Sequence, residues 1–552
     1  MLNAGRFAVF EGFAYRPRCV LSRTRAWLPT SKLGQTTHCR IRRPTLLAMS
    51  YTEVPRPVLS VAGMTRRQLL GAAVAGAVGV SVGATVLGAG TSTAGMNPDE
   101  LFDVVIVGGG LSGLAAARSV ARAGKSVRVL EARERAGGRV HNITTPKLGV
   151  TLDAGAEFVG PTQTHIAALA HEYGVVSVPT YNEGDSVFWN SGRRSTMPSA
   201  LGIPIDPASP EAAFALAQLE VQGLLQFPVG EPWKHPDASY LDSITWKQWL
   251  EARSMSPTAR MLLSLACSAA LSVEADEVSA LYFFNYVAAA GDEANPGSLI
   301  RLLGTSGGAQ ERLFVGGAAL IPLRMAAALG DRMLYNAAVR HISWGDGFAT
   351  VQSDAGALRA RKVIVAMSPA ITGRIQFSPG LPAGRTGLQD GYRMGAISKF
   401  AAVYAEPFWR AKGLSGQVIG NGDPIDVCFE NYAEGNHVLM GFISADAMRR
   451  LDNAPQEQLV DECIKNFVDY FGPEARDHLD HGVFKWDLEP WSQGGPVAVS
   501  RPGTLTRYGN ALRAPVGPVH WAGTETSDYW TGYMDGAVRS GERAAREVIA
   551  AL

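Results

Sequence analysis

The sequence has few cysteines and no excess of charge of either sign. Its 552 residues include five Cys, none of them in a C-x-x-C pair, so neither a disulfide framework nor a metal site such as zinc is expected. Lys plus Arg number 51 and Asp plus Glu number 50, which leaves no basic surplus for nucleic acid and no acidic surplus for a cationic partner. With 46% hydrophobic and 18% charged residues, the composition excludes a disordered chain, a collagen-like repeat and a coiled coil.

Internal repeats and low-complexity linkers are also missing from the sequence after residue 98. Glycine is abundant instead. Its 61 residues in 552 are about 11% of the chain, above the usual share of about 7%. This excess indicates many tight turns and close backbone approaches. The chain is long enough for a large buried core and for at most roughly three or four domains.

The first 98 residues have the features of a targeting leader. Residues 1–63 contain ten Lys or Arg and two Glu, and Arg66-Arg67 precede a stretch at 71–90 of mostly Gly, Ala, Val, Ser and Leu. The paired arginines, the mildly apolar stretch and the small residues at 92–94 predict a signal read by the twin-arginine export machinery. We therefore expect export to the periplasm, the cell envelope or the outside of the cell.

Other interpretations of this leader stay open. The apolar stretch is long enough to span a bilayer, although its Gly and Ala content predicts a weak membrane anchor. Residues 1–63 are Arg-rich and acid-poor, which also suits an organelle transit peptide. A translation start at Met49 or Met64 would place the twin arginines near the N-terminus, and a cytoplasmic protein is the remaining alternative. In each case residues 1–98 are not part of the fold.

The chain after the leader begins with a βαβ pattern. The run DVVIV at 103–107 predicts a buried strand, residues 108–124 an Ala-rich helix, and SVRVLE at 126–131 a second strand. Further elements are predicted as helices over most of 210–290, short strands within 332–367, strands at 397–404 and 438–443, and a closing helix at 532–552. Together these patterns predict an α/β fold with a mixed second domain.

The run GGGLSG at 108–113 matches the dinucleotide fingerprint G-x-G-x-x-G. In this pattern Gly108 permits the tight turn, Gly110 lets the backbone approach a pyrophosphate and Gly113 allows close helix–strand packing. The N-terminus of the helix favours the phosphate charge. Glu131 ends the second strand, where its carboxylate can accept hydrogen bonds from ribose hydroxyls. The sequence therefore predicts a dinucleotide site.

A second glycine-rich turn indicates which dinucleotide binds. Arg133 and the run AGGRV at 136–140 follow the second strand directly. Nicotinamide enzymes do not need this turn, whereas an extended flavin dinucleotide can use another basic group at its pyrophosphate. Arg139 is the candidate for that group, so the sequence favours FAD.

Longer motifs extend over the whole chain from residue 101 to the C-terminus. They are GGGLSG, LEARERAGGRV, LDAGAEFVGPTQ, GAQERLFVGG, KVIVAMSP, ISKFAAVYAEPFW, KWDLEPWSQGGPV and WAGTETSDYWTGYMDGAVRSGERAAREV. Through these motifs the chain resembles the flavin-containing amine oxidase family. It is most similar there to bacterial monoamine oxidases of the cyclohexylamine oxidase kind, which also carry Gly-Gly-Pro-Val.

The resemblance implies the domain organisation. A Rossmann-type FAD-binding domain, discontinuous in sequence, is expected to contain residues 99–177, 315–388 and 489–552. A mixed α+β substrate-binding domain is expected to contain residues 178–314 and 389–488. The resemblance leaves a homodimer open.

The resemblance also implies an FAD site. The residues expected at the dinucleotide are Gly108, Gly110, Ser112, Gly113, Glu131, Arg133, Gly138 and Arg139. The backbone of Val339 is expected at the adenine, and Glu525 on the phosphate and ribitol side. Those expected near the flavin ring are Gly155, Ala156, Phe158 and Trp486, and those expected beneath it are Gly532, Tyr533 and Met534. The last three start a helix whose N-terminus would stabilise the anionic reduced flavin. Members with covalent flavin carry a Cys where this chain has Gly495, and no Cys is near it, so the FAD is expected to be non-covalent.

Two residues are expected to act in catalysis. Lys399 lies mid-strand in ISKFAAVY, where a lysine usually points to solvent. The matching lysine of the family bonds through a water to the reactive flavin nitrogen, and a cation there can assist electron transfer to oxygen. Tyr533 matches one of two aromatic rings that face each other across the substrate path. The opposite position is Pro496, so the ring pair is incomplete unless Trp491 or another aromatic residue compensates.

The implied activity is the oxidation of small primary, and in some members secondary, amines by FAD and oxygen. Its products would be an aldehyde or ketone, ammonia and hydrogen peroxide. A substrate amine can lose its proton on entering an apolar site, so no general base is required. The residues expected to line the substrate site are Leu302, Leu303, Gln310, Phe408, Pro496 and Tyr533.

Three alternative functions remain. An L-amino-acid oxidase of the same fold would need a buried arginine for the substrate carboxylate, for which Arg301 or Arg312 are candidates. A polyamine or putrescine oxidase would need acidic pocket residues, for which Asp292 and Glu293 are candidates. A flavin-bound protein without turnover is disfavoured by the intact lysine and tyrosine.

Overall fold

The structure, a computed structural model, describes residues 100–199, 217, 227–253, 255–345, 347–433 and 435–552. The predicted leader at 1–98 lies outside the described residues, and so do nearly all residues of the predicted helical stretch before 227. All the described residues belong to one unit of the chain.

The described residues form strands and helices in mixed order. The strands are β1 (Leu101–Val107), β2 (Val127–Leu130), β3 (Asn142–Thr144), β4 (Thr151–Asp153), β5 (Phe158–Val159), β6 (Ser177–Pro179), β7 (Asp185–Asn190), β8 (Arg193–Pro198), β9 (Arg312–Phe314), β10 (Met333–Leu334), β11 (Val339–Gly345), β12 (Phe348–Ser353), β13 (Gly356–Ala366), β14 (Gln376–Ser378), β15 (Tyr392–Met394), β16 (Ser398–Tyr404), β17 (Leu414–Gly420), β18 (Ile425–Ala433), β19 (Asn436–Ile443), β20 (Asp480–Lys485), β21 (Ala498–Ser500) and β22 (Val519–Ala522). The helices are α1 (Leu111–Arg122), α2 (Thr164–Glu172), α3 (Ala238–Ser243), α4 (Trp246–Glu251), α5 (Pro257–Leu271), α6 (Ala280–Ala288), α7 (Leu299–Leu303), α8 (Leu320–Leu329), α9 (Pro369–Thr372), α10 (Ala383–Gly391), α11 (Phe408–Ala411), α12 (Ala445–Leu451), α13 (Gln456–Phe471), α14 (Thr504–Tyr508) and α15 (Met534–Ala550).

The largest sheet is centred on the parallel pair β1 and β13. On one side β1 pairs with β2, and β2 pairs with β10, all in parallel. On the other side the first half of β13 pairs with antiparallel β12 and its second half with parallel β22. The side chains of β1 alternate between the two faces: Val104 and Ile106 pack with α1 and α15, whereas Val105 and Val107 pack with β11 and β22. Burial on both faces explains why these strands are continuous apolar runs.

The second sheet explains why a lysine in the middle of a strand is buried. Its strand order is β20-β16-β19-β18-β17-β7-β8, so β16 is internal. Phe400 and Ala402 of β16 pack with α13 on one face, while Ala401 and Val403 pack with Leu152 of β4 on the other. Since side chains of a strand alternate with period two, Lys399 shares the face of Ala401 and Val403 and is directed at β4. It therefore faces protein and not solvent.

The predicted α/β fold class is confirmed, and the predicted elements that fall within the described residues are present. The βαβ unit is β1-α1-β2, the strands expected within 332–367 are β10 to β13, the next two are β16 and β19, and the closing helix is α15. Strands β7, β8, β17, β18 and β20 of the second sheet were not predicted. The proposed division of the sequence into an FAD-binding and a substrate-binding domain stays a prediction.

In the part of the chain that the structure describes, no helix combines the length and apolar character needed to cross a membrane. No group of three or more His, Cys, Asp or Glu among those residues is arranged to hold a metal ion.

Candidate active site

Two glycine-rich turns meet at the start of α1. Gly110 forms a bridge with Gly137, and the N–H of Gly137 donates to the carbonyl of Gly109 at 2.9 Å. A Cβ on Gly113 would lie 1.9 Å from the carbonyl oxygen of Gly108, so the helix can pack this closely on the preceding turn only with glycine there. No side chain caps the first turn of α1. Its N–H groups are therefore suited to a phosphate, because the N-terminus of a helix carries partial positive charge.

Glu131 lies buried at the end of β2, beside the same turns. Its Oε2 accepts from the N–H of Gly109 at 2.7 Å, and its Oε1 accepts from the N–H of Arg133 at 2.9 Å. The guanidinium of Arg133 forms an ion pair with Glu489 at 2.5 Å and donates to Ser492 Oγ at 2.7 Å. Both predicted residues thus have fixed positions at one end of the site.

Arg139 and Glu525 form a bidentate ion pair. The two guanidinium-to-carboxylate distances are 2.7 Å and 3.2 Å, and Arg139 also donates to the carbonyl of Pro496 at 2.8 Å. Burial acts to raise the pKa of Glu525, but the Arg139 charge and hydrogen bonds hold this pKa below its ordinary value. Glu525 is not on the cavity wall, and the phosphate or ribitol contact expected of it stays a prediction.

One large cavity connects most of the predicted site residues. The space in it that is not filled by atoms is about 2040 Å³, counted together with the open solvent at its mouth. The predicted residues on its wall are Gly108, Gly110, Ser112, Glu131, Arg133, Gly138, Arg139, Gly155, Ala156, Phe158, Leu303, Gln310, Val339, Lys399, Trp486, Pro496, Gly532, Tyr533 and Met534. Four predicted residues, Gly113, Leu302, Phe408 and Glu525, are not on the wall.

Two of the expected substrate-lining residues lie elsewhere. Leu302 is buried in the core around α6, and only its carbonyl meets the site, where it accepts from Tyr533 Oη at 3.4 Å. Phe408 packs against Tyr404 and Trp409 in the core of the second sheet. Neither side chain lines the cavity among the described residues, and a substrate contact of Leu302 or Phe408 stays a prediction.

A second aromatic ring accompanies Tyr533, and it comes from α6. Tyr286 and Tyr533 both line the cavity, with ring centroids 6.1 Å apart. Gly532 has φ +87°, and a Cβ on it would lie 2.8 Å from Tyr286 Oη, so a glycine is required where the chain enters α15. Burial raises the pKa of both phenols, which keeps the rings neutral. Tyr286 was missed because nothing in the apolar sequence of α6 distinguishes it from core residues.

Trp491 does not supply the missing ring. It lies on the cavity wall, but the Arg340 guanidinium is 5.4 Å from its ring centroid, and Arg340 follows Val339 at the expected adenine end. The other predicted tryptophan, Trp486, is buried on the wall and donates from Nε1 to the carbonyl of Ala154 at 2.7 Å. Its place beside the residues expected near the flavin ring agrees with the role that the resemblance implies.

A smaller apolar chamber adjoins the main cavity. It shares Ala269, Leu303, Gln310 and Phe442 with the large cavity. Its remaining described wall residues are Ser186, Met197, Pro198, Gln417, Val418, Ile419, Val427 and Phe429. None of these wall residues carries a charge. Gln310 Oε1 is buried and has no hydrogen-bond partner among the described residues, so an acceptor is left free at the junction of the two spaces.

Lys399 is a buried charged residue on the cavity wall. Its Nζ donates to the carbonyl oxygens of Gly155 at 2.7 Å and Asp153 at 3.2 Å, and it forms an ion pair with Glu157 Oε2 at 2.9 Å. Burial raises the pKa of the Asp153 carboxyl to about 7, and the neighbouring Glu157 adds to this shift. Burial also raises the pKa of Glu157, against the opposing effect of Lys399. Glu157 was not predicted, because nothing in its own stretch of sequence shows that Lys399 lies against it.

The described cysteines are all away from this site. Cys267, Cys428 and Cys463 are free and buried, and none of the three is on the cavity wall. Gly495, the position expected to carry the attachment cysteine in covalent members, is on the wall.

The residues named for the alternative functions also lie outside the cavity wall. Arg301 donates to the carbonyls of Ala290 and Pro296, and Arg312 donates to Ser177. Asp292 accepts from backbone N–H groups of its own turn. Glu293 forms an ion pair with Arg539 on the surface. These four side chains stabilise loops and strands and are not placed to bind a substrate carboxylate or a second amine.

The site combines glycine turns suited to a dinucleotide with an adjoining aromatic and apolar chamber. This combination is typical of a nucleotide-dependent oxidoreductase. The sequence profile of the flavin-containing amine oxidoreductases matches residues 111–549, and the chain belongs to this family. The flavin-containing monoamine oxidase AofH of Mycobacterium tuberculosis is 41% identical over 464 residues, which cover 83% of this chain and 98% of that protein. The human flavin-containing amine oxidase B is 33% identical, with 82% and 86% covered.

Solved structures agree with this assignment. Cyclohexylamine oxidase from Brevibacterium oxydans superposes with a TM-score of 0.77 at 33% identity, covering 82% of this chain and 99% of the other. A putrescine oxidase bound to putrescine has the same score, identity and coverage. The resemblance inferred from the motifs is therefore confirmed, and so are the implied flavin dependence and amine oxidoreductase class.

Proposed function

We propose that the chain is an oxidase of small apolar primary amines that holds FAD without a covalent bond. The products would be an aldehyde or ketone, ammonia and hydrogen peroxide. The observation that carries this proposal is a single cavity lined by the glycine turns, Glu131 and two tyrosines, next to a smaller chamber whose described wall residues carry no charge.

The residues present fit FAD. The uncapped first turn of α1 suits the pyrophosphate, Glu131 suits a ribose, and Arg139 presents a guanidinium on the same wall. The start of α15 at Met534 is likewise without a side-chain cap, so its N–H groups can stabilise negative charge on a bound ring. When bound, FAD would supply the acceptor for the two electrons removed from the amine.

Non-covalent attachment has a direct test. No described cysteine lines the cavity, and glycine stands at position 495. Acid precipitation of the yellow protein should therefore release all the colour into the supernatant as FAD. Colour that stays with the pellet would show a covalent bond.

The protein groups of the chamber favour a neutral monoamine. A charged ammonium would be poorly solvated between Tyr286, Tyr533 and the apolar residues, so the substrate is expected to lose its proton as it enters. The free Gln310 Oε1 can then accept from the amine N–H and fix its orientation. The smaller chamber offers space for an apolar substituent, and its described wall residues include no carboxylate for a second ammonium. The putrescine and amino-acid alternatives are therefore less well supported than a monoamine.

A substrate panel tests this assignment. Purified holoenzyme is assayed for peroxide release with cyclohexylamine, an unbranched alkyl monoamine, putrescine and an L-amino acid. We expect the two monoamines to be oxidised and the charged substrates to be much poorer. Preferential turnover of putrescine would favour the diamine alternative, preferential turnover of the amino acid the amino-acid oxidase, and peroxide from none of them would contradict amine oxidation.

We also propose export by the twin-arginine pathway, which is supported by the leader sequence alone. Replacing Arg66 and Arg67 by Lys should retain the protein in the cytoplasm of a bacterial host, because the pathway recognises the paired guanidiniums. Fractionation followed by immunoblotting measures the distribution, and unchanged export would indicate another signal. The homodimer left open by the resemblance stays a prediction, which light scattering of the purified protein can test.

A further inference from the structure

Lys399 meets three oxygen atoms that come from one short stretch of chain. Two are the carbonyl oxygens of Asp153 and Gly155, and the third is Oε2 of Glu157. An ammonium group has three N–H donors, so these three contacts at 2.7 to 3.2 Å can use all of them. The Nζ atom is also 5.2 Å from the ring centroid of Phe442. The position of the ammonium is therefore determined by its acceptors, of which only Glu157 carries charge.

The ion pair is almost completely removed from water. The side chains of Lys399 and Glu157 are 8% and 2% exposed. A buried ammonium loses its hydration, which favours the uncharged amine unless a negative partner is close. The two carbonyl dipoles are accompanied by a carboxylate 2.9 Å away, which is the negatively charged group in direct contact with the ammonium.

A second carboxyl belongs to the same cluster. Asp153 accepts from the N–H of Ala318 through Oδ1 and faces the ammonium only through its main-chain carbonyl. Glu157, in contrast, accepts from both Lys399 and the side-chain amide of Asn431 at 2.9 Å. Burial raises the pKa of both carboxyls, and the ammonium that pairs with Glu157 opposes this rise in the pKa of Glu157. Asp153 and Lys399 are the ionisable groups that act on Glu157.

We propose that Glu157 is a positioning residue for Lys399, whose ammonium it fixes on the cavity wall and keeps charged. Glu157 lies on that wall itself, directly before β5. The inference deepens the proposed function, on which it rests, because Lys399 would assist the reaction with oxygen only while it is charged and held in this place. It also assigns a purpose to a buried carboxylate whose second oxygen, Oε1, has no hydrogen-bond partner among the described residues.

The test compares Glu157→Gln, Glu157→Asp, Lys399→Met and the double variant with the parent holoenzyme. Stopped-flow measurement follows the reoxidation of reduced flavin by oxygen at several pH values. We expect Glu157→Gln to slow it about ten-fold above about pH 8, with a smaller effect at about pH 6. Glu157→Asp, which keeps the charge, should restore part of the rate. In the Lys399→Met background the Gln substitution should have no further effect.

The flavin midpoint potential gives a readout other than activity. In the parent the carboxylate and the ammonium cancel. Glu157→Gln leaves a net positive charge at low pH, which should raise the potential, because a cation favours the electron-rich reduced form. At high pH, once Lys399 has lost its proton, the potential should return to that of the parent. Asp153→Asn is the matched control, because it removes the other buried carboxyl but keeps the carbonyl contact. It should not change how the flavin potential depends on pH.

The outcomes distinguish a failure of the role proposed for Glu157 from a failure of the proposed amine oxidation. A parent-like pH profile and potential in Glu157→Gln would overturn the role of Glu157 while leaving amine oxidation intact. An equal slowing at every pH that persists in the Lys399→Met background would show that Glu157 acts only on folding. If the parent proves not to oxidise amines, the proposed function fails, and the thermal stabilities of the parent, Glu157→Gln, Lys399→Met and the double variant still test the pair. Additive losses of stability would then refute the coupling between Glu157 and Lys399.

Discussion

Replacing Lys399 by Met should separate the chemical role of the ammonium from its role in the fold. Met keeps most of the apolar stem but removes the donor for three oxygens, including the buried carboxylate of Glu157. A buried charge left without its partner costs about 3–5 kcal/mol. Glu157 can avoid part of this cost by taking up a proton, so the loss of stability must depend on pH.

The sign of this dependence follows from the pKa of Glu157. Burial raises this pKa in the folded parent, and removal of Lys399 should raise it further. A raised folded-state pKa gives stability that is fully present below the unfolded value of about 4.3 and is lost as the pH rises. Above the unfolded value, the free energy of unfolding falls by about 1.4 kcal/mol per pH unit. The contribution of Glu157 to this fall is therefore at most roughly 4 kcal/mol at pH 7 and roughly 1 kcal/mol at pH 5.

Two measurements check the prediction for Lys399→Met. Chemical or thermal unfolding at about pH 5 and about pH 7.5 should show a variant that approaches the parent at the lower pH. Reoxidation of the reduced flavin should slow about ten-fold or more, equivalent to about 1.4 kcal/mol of barrier, while reduction by amine should be affected less. Lys485→Met is the control, because Lys485 also donates to two carbonyls, those of Leu451 and Asp452, but lies off the cavity wall. A pH-independent loss of stability, or an unchanged reoxidation rate, would refute the reasoning.

Two further predictions concern glycine and the second buried carboxyl. Gly532→Ala should destabilise the protein by about 1–3 kcal/mol, since it combines a positive φ with a Cβ 2.8 Å from Tyr286 Oη. Urea titration measures the loss. Gly124→Ala, at φ +72° with no atom within 4 Å of the new Cβ, isolates the backbone part of it, and equal losses in the two variants would contradict the Tyr286 contact. Asp153, with its pKa raised to about 7, stabilises the fold most below the unfolded value of about 3.9 and loses this contribution as the pH rises through 7. Asp153→Asn should therefore flatten the fall in melting temperature between about pH 5 and about pH 8, and parallel curves would contradict the assignment.

The sequence by itself determined the parts of the site that are local in the chain. The glycine turns, the helix that follows them and Glu131 lie within one βαβ unit, so their spacing is sufficient to place them around a dinucleotide. The start of α15 was placed in the same way, because Gly532 and Tyr533 directly precede the helix whose N-terminus they form. Family motifs then identified Lys399, which its position in a strand alone would have assigned to solvent.

Only the tertiary structure decided which distant residues meet. Lys399 contacts Gly155 from 244 positions away, and Arg139 contacts Glu525 from 386 positions away. Such pairs depend on the order and register of strands, which a local pattern does not contain. The same reason explains why Tyr286 and Glu157 were missed. Their importance comes from the neighbours that folding brings to them, since a tyrosine in an apolar helix and a glutamate beside a short strand are ordinary residues until Tyr533 and Lys399 are placed against them.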